Sequence, residues 1–69
     1  MKNNLKEYRE KKAYTQEQLA VLAEVSRQSI ISIEKGYYTP TTILALKLAE
    51  VLKAKVDELF VLEKNDWTQ

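Results

Sequence analysis

The chain of 69 residues contains no cysteine and no histidine. Without cysteine there is neither a disulfide framework nor a thiolate metal site, which is compatible with a reducing cytoplasm. Without histidine, the serines and carboxylates lack the usual base that would activate them. A glycine-rich phosphate loop is also missing, as is any acidic cluster at metal spacing. We therefore expect no enzymatic activity, no metal and no cofactor.

Long apolar runs are missing as well. The N-terminus is charged but lacks the apolar stretch of a signal peptide, and no segment has the length of a membrane span. The sequence thus predicts a cytoplasmic protein that does not contact a membrane. We expect a single small domain over residues 1–69, with no second domain for a small-molecule effector. A core of this size gives modest stability, which association would raise.

An excess of positive charge is the third missing feature. Eleven basic residues face ten acidic ones, for a net charge of +1. The distribution is uneven, because residues 1–14 carry five basic and two acidic residues, whereas residues 43–69 carry four and five. Any surface that binds phosphates must therefore be local, with a shallow dependence on salt.

The middle of the chain predicts two short helices separated by a tight turn. Thr15 and Gln18 have the spacing of a capping box, so a helix should begin after Thr15 and cover residues 16–23. Ser26 offers a second N-cap for a helix over residues 27–35. This arrangement, over residues 16–35, is typical of the helix-turn-helix, whose second helix lies in the major groove of DNA.

Three further helices are predicted around this pair. The first should cover residues 3–12, and the fourth should cover residues 42–52 with Thr41 as its cap. A tail helix should begin at about Val56. The only glycine, Gly36, is expected to end the third helix.

Five stretches carry a resemblance to a known family, and they read LKEYREKK, TQEQLA, VSRQSIISIEKG, the Thr39-Pro40 step and VDELF. From about residue 4 to residue 60, the chain resembles the Cro/C1-type transcriptional regulators related to phage repressors, in particular the very small bacterial members. The resemblance implies an all-α, compact five-helix fold like that of lambda repressor. Some small members also pair an N-terminal strand with a C-terminal one. A short two-stranded terminal β-sheet, an extended helix or a surface for a partner are thus open alternatives for the tail, residues 61–69.

The resemblance also implies a structural ion pair between Arg9 and Glu34, which would hold the first helix against the third. The alternative is a pair of solvated surface charges. The chain departs from the family at Ala13, Glu24 and Lys53, where glycines are common after helices. These replacements predict some strain in the turns.

The outer face of the third helix carries the candidates for reading bases. The carboxamide of Gln28 matches the donor and acceptor of adenine in the major groove. Arg27 could form a bidentate hydrogen bond with guanine or bind a phosphate, and the sequence leaves both roles open. Ser32, one turn further, could reach a base edge or a water molecule.

Other residues are candidates for positioning the protein on the phosphate backbone. In the family, the glutamine at the start of the second helix commonly holds a phosphate, which implies that role for Gln16. The matching candidates around the third helix and its following loop are Ser29, Lys35, Tyr38 and Thr39. For each of them the alternative is a solvated side chain.

The predicted function is sequence-specific binding of double-stranded DNA by a homodimer. Two copies related by a two-fold axis would read a near-palindromic operator with half-sites about 34 Å apart. Repression is the expected consequence, and activation stays open. The candidates for the dimer surface are Ile43, Leu46, Val61 and Trp67. The alternatives are an autoregulating antitoxin and a protein-interaction module that has lost DNA binding.

Overall fold

A computed structural model describes residues 1–67. Within that range the chain forms five helices, as predicted, and two short strands, which are one of the open alternatives for the termini. The last two residues of the predicted tail, 68 and 69, lie outside the described residues. The elements are β1 (Lys2–Asn3), α1 (Leu5–Lys11), α2 (Gln16–Ala23), α3 (Arg27–Glu34), α4 (Thr42–Leu52), α5 (Val56–Leu59), β2 (Phe60–Val61) and a 3₁₀ turn at Lys64–Asp66.

Side-chain caps determine where the central helices begin. The hydroxyl of Thr15 accepts from the backbone N–H of Gln18 at 3.0 Å, and the Gln18 carboxamide accepts from the Thr15 N–H at 2.8 Å. The hydroxyl of Ser26 accepts from the N–H of Ser29 at 3.1 Å, and Thr41 caps α4 in the same way. The predicted capping box and the predicted bounds of α2 and α4 are thereby confirmed.

The predicted first helix is too long at both ends. Its first two predicted residues lie outside α1, because Asn3 belongs to β1 and pairs with Phe60 in an antiparallel register. The Asn3 side chain donates to the carbonyl of Ile33 at 3.0 Å and accepts from the Leu5 N–H at 3.3 Å. These bonds hold the segment extended. Of the alternatives for the start of the tail, the terminal two-stranded sheet is therefore the correct one. The predicted third helix is also too long, since α3 ends one residue earlier than predicted, at Glu34.

Left-handed residues follow the first four helices. Gly36 has φ +80°, and the three residues that replace family glycines have the same handedness, at 59° for Ala13, 62° for Glu24 and 55° for Lys53. In each turn the N–H groups bond back to the last helical carbonyls, as in Schellman motifs. The turns thus keep the geometry that glycine favours, at a cost of about 1 kcal/mol for each replacement.

A single apolar core supports the candidate site. Ile30 and Ile33 of α3 are buried in one cluster with apolar residues of α2 and α4, which turns the opposite face of α3 outward. The buried apolar residues are Leu5, Leu19, Ala20, Ala23, Ile30, Ile33, Leu44, Leu48, Ala49, Leu52 and Leu59.

Candidate nucleic-acid interface

The outer face of α3 presents the side chains that the sequence singles out. Because Ile30 and Ile33 face the core, Arg27 and Gln28 at the start of the helix are exposed, while Ser32 is half-buried. The N-terminal residues of a recognition helix are those that reach base edges. Arg27 and Gln28 occupy the first two positions of α3.

A shallow depression of about 260 Å³ lies beside Gln28, and we call it the hydroxyl depression. Its lining residues are Ser26, Gln28, Ser29, Ser32 and Tyr38. The Gln28 carboxamide donates to the Ser32 hydroxyl at 3.4 Å, which is long for a hydrogen bond. Such a bond is easily exchanged for one to an external group. The structure thus brings four of the candidate DNA-binding residues together.

Arg27 lies in a different depression, between α1, α2 and α3, with a volume of about 610 Å³. We call it the three-helix depression. Its lining residues are Lys6, Arg9, Thr15, Gln16, Glu17 and Arg27. Lys6 is a member that the sequence reasoning missed. The available signal was its spacing, three residues before Arg9 on the same helix, which places both on one face.

Arg9, which lines this depression, forms an ion pair with Glu34. The Arg9 Nε donates to the Glu34 Oε2 at 2.7 Å and its Nη2 to the Oε1 at 3.2 Å, while its Nη1 donates to the Tyr14 carbonyl at 2.9 Å. The side chains of the pair are only 10% and 6% exposed. The bond to Glu34 raises the pKa of Arg9 above its ordinary value, although burial opposes the shift. The two side chains of the pair are therefore almost fully buried.

Gln16 is tied to the same carboxylate. Its Nε2 donates to the Glu34 Oε1 at 3.1 Å, so α1, α2 and α3 meet at one side chain. A carboxamide nitrogen carries two protons, and one is left for an outside acceptor. The bond to Glu34 fixes the direction of the Gln16 amide group and leaves one of its N–H donors available.

Two of the candidate DNA-binding residues lie outside both depressions. Lys35 is exposed at the C-cap of α3, and Thr39 is exposed in the loop before α4. Thr39 instead lines a third depression, on the side of the molecule formed by α4 and the tail. The structure therefore does not bring these two residues together with Gln28.

This third depression is an apolar groove of about 460 Å³, which we call the tail groove. Leu46 and Val61 line it, and Leu46 is 55% exposed. Ile43 and Trp67 are also exposed, at 70% and 74%, but neither lines the groove. The full lining is Met1, Thr39, Pro40, Thr42, Ala45, Leu46, Val56, Asp57, Phe60, Val61 and Leu62.

No group of three or more histidine, cysteine, aspartate or glutamate side chains among residues 1–67 is placed to hold a metal ion. None of the helices in that range has the length and apolarity needed to cross a bilayer.

Comparison with known proteins gives a consistent result. The sequence pattern of the Helix-turn-helix family matches residues 5–59. An uncharacterized HTH-type transcriptional regulator of Methanocaldococcus jannaschii is 47% identical over 96% of this chain and all of its own length. Another from Bacillus subtilis is 41% identical with the same coverage of both chains.

A solved structure extends the likeness to three dimensions. The restriction-modification controller protein C.AhdI from Aeromonas hydrophila superposes with a TM-score of 0.76 at 36% identity, over 81% of this chain and 85% of its own. Regulators of this type are DNA-binding proteins and not enzymes. On the fold, the two capped helices and these relatives, the chain belongs to the Cro/C1-type helix-turn-helix family of DNA-binding transcriptional regulators.

Proposed function

We propose that this regulator is a homodimeric repressor that reads a near-palindromic operator through α3. The observation that carries the proposal is the orientation of α3. Two buried isoleucines fix the helix on the core, so that the exposed Gln28 lies at its N-terminal end. Within residues 1–67 its carboxamide makes one hydrogen bond, a 3.4 Å contact to Ser32.

Gln28 is the proposed base reader. Its carboxamide can donate to and accept from adenine together, a pairing that no other base offers in the same geometry. Ser32 lies one turn further along the same depression and can assist through its hydroxyl or a water molecule. Direct reading of bases is thereby assigned to Gln28 and Ser32 of the hydroxyl depression.

The remaining candidates are proposed to position the protein on the backbone. Gln16 can donate its second amide proton to a phosphate at the start of α2, where the helix dipole also favours an anion. Ser29 and Tyr38 border the hydroxyl depression, and Lys35 and Thr39 lie at and after the end of α3. Such contacts set the register on DNA and add little sequence information.

The tail groove is proposed as the centre of the dimer interface. Leu46 and Val61 line it, and Ile43 and Trp67 add exposed apolar surface outside its lining. Exposed apolar surface of this kind marks contact sites in small proteins. A two-fold axis would place two copies of α3 about one helical turn of DNA apart. Occupying such a site within a promoter suffices for repression.

Selection of bound duplexes from a random DNA pool tests the proposal. The expected outcome is enrichment of a two-fold-symmetric sequence with half-sites about 10 base pairs apart, centre to centre. An asymmetric enriched site would contradict the dimer. Lack of enrichment at low salt would contradict sequence-specific reading and favour a protein-interaction module.

A further inference from the structure

The three-helix depression contains two cations that have no partner among the residues that the structure describes. Lys6 and Arg27 are exposed, and neither forms a salt bridge or side-chain hydrogen bond within residues 1–67. The third cation of the depression, Arg9, is occupied by Glu34 and the Tyr14 carbonyl. The depression thus has two positive side chains available for an anion.

We infer that Lys6 and Arg27 bind backbone phosphates of the operator in this depression, so that Arg27 positions the protein while Gln28 reads bases. The inference deepens the proposed function and rests on it. It adds Lys6 to the interface and decides between the two roles that the sequence leaves open for Arg27.

The separation of Arg27 from Gln28 carries the first step. Although the two residues are adjacent in sequence, Gln28 borders the hydroxyl depression on the outer face of α3, whereas Arg27 borders the depression shared with α1 and α2. In helix-turn-helix complexes the helix preceding the recognition helix crosses the DNA backbone. A side chain directed toward α2 is therefore directed toward phosphates.

The chemistry of the depression fits a phosphate. An ammonium and a guanidinium supply charge, and Gln16 supplies an amide donor whose direction Glu34 fixes. One group opposes the anion, since the carboxylate of Glu17 borders the same depression. Removing the Glu17 carboxylate should therefore strengthen DNA binding, whereas removing Lys6 or Arg27 should weaken it.

The salt dependence of DNA binding tests this inference. Affinity for the selected duplex and for a random duplex would be measured across salt concentrations for the native chain and for Lys6→Gln and Arg27→Gln. The slope of log affinity against log salt changes by about 0.9 for each phosphate contact removed, hence by about 1.8 in a homodimer. Both variants should therefore have shallower slopes on both duplexes, with an unchanged selected sequence.

Two controls make the result specific. Lys11→Gln removes the same charge from α1, but Lys11 lies over the Tyr8 ring, 4.8 Å from its centroid, and outside the depression. Its slope should match that of the native chain. Glu17→Gln removes the opposing carboxylate and should raise affinity for both duplexes alike.

The possible results separate this inference from the proposed function. A native slope in Lys6→Gln, or a slope change in Lys11→Gln as large as in Lys6→Gln, would overturn the role of Lys6. A changed selected sequence in Arg27→Gln would overturn the positioning role of Arg27 and make it a base reader. If the native chain selects no site at all, it is the proposed function that fails.

Discussion

Arg9 of α1 and Glu34 of α3 are joined by two hydrogen bonds, the shorter of 2.7 Å, in a region where both side chains are almost fully buried. The same carboxylate accepts a bond from Gln16 of α2. One carboxylate therefore links the core-facing ion pair to a proposed phosphate contact. These bonds bring α1, α2 and α3 together at one side chain.

Removing one partner of this pair should destabilise the fold severely. Arg9→Met leaves the Glu34 carboxylate buried without its cation, at an expected cost of about 3 to 5 kcal/mol in the free energy of unfolding. Urea denaturation measures the loss. Lys47→Met is the matched control, because its 3.0 Å pair with Glu24 is exposed and should be worth less than about 1 kcal/mol. Equal losses in the two variants would show that burial does not matter here.

Relieving a left-handed turn should stabilise the protein. Lys53 ends α4 with φ +55°, a conformation that glycine adopts without a steric penalty. Lys53→Gly should therefore raise the free energy of unfolding by about 0.5 to 1 kcal/mol, after the entropy of the more flexible unfolded chain is subtracted. Thermal or urea unfolding gives the value.

Lys55→Gly provides the matched comparison two residues later. Lys55 has φ −78° and ψ 146°, which any residue adopts, so the substitution adds unfolded-state entropy and relieves no strain. It should lower stability by about 0.4 to 1 kcal/mol. A stability gain in both variants, or in neither, would contradict the assignment of strain to the left-handed position.

A charge in the tail groove should separate the proposed dimer. Leu46 is exposed in the groove, so Leu46→Glu should leave the fold of each protomer intact while placing an unpaired charge in the interface. We expect dimer dissociation to be at least about tenfold easier, equivalent to roughly 1.4 kcal/mol. Sedimentation velocity over a concentration series measures it.

Val21→Glu is the control for general effects of a surface charge. Val21 is 65% exposed on α2 and lies outside the tail groove. Its dimer dissociation should equal that of the native chain. A larger effect at Val21 than at Leu46 would move the interface to α2.

The tail should respond to pH through Asp66. The backbone N–H of Glu63 donates to its carboxylate at 2.7 Å and the Met1 ammonium at 3.0 Å, and these bonds, in that order, lower the pKa of Asp66. A lowered folded pKa means that stability is present above the unfolded value of about 3.8 and is lost as pH falls through the folded pKa. Asp66→Asn should thus lower the unfolding temperature at pH 6, with the difference closing in strong acid.

The Met1 ammonium determines the alkaline limit of the pH range in which these bonds stabilise the protein. Its pKa is raised, first by the bond to Asp66 and then by that to Glu63, so its contribution is present below about pH 8 and is lost as pH rises through the raised value. The groups are exposed, and the change should be small. A difference between native chain and Asp66→Asn that stays constant from acid to alkali would rule out this titration.

The sequence predicts those features that local chemistry decides. The hydroxyls of Thr15 and Ser26 cap helices through bonds to residues three positions later, so these starts do not depend on tertiary packing. The spacing of Ile30 and Ile33 shows which face of α3 is buried. β1 escapes prediction because a two-residue strand has no periodicity and depends on its partner 57 or more residues away in β2. A helical reading of Asn3 was therefore wrong.

The grouping of the interface residues depends on packing between helices, which sequence spacing does not reveal. Arg27 and Gln28 are neighbours in the chain but border different depressions, because α1 and α2 pack beside the first of them only. Lys6 lines the three-helix depression for the same reason. Spacing within one helix predicts that Lys6 and Arg9 share a face of α1. It does not predict that either residue lies near Gln16, which belongs to α2.

The affinity of Gln28→Ala for two duplexes shows whether Gln28 reads a base. On the selected operator the variant should lose about 1 to 3 kcal/mol of binding free energy for each base contact, whereas on random DNA its affinity should match that of the native chain. Fluorescence anisotropy at fixed salt measures both. An equal loss on the operator and on random DNA would make Gln28 a backbone contact and would overturn base reading through α3.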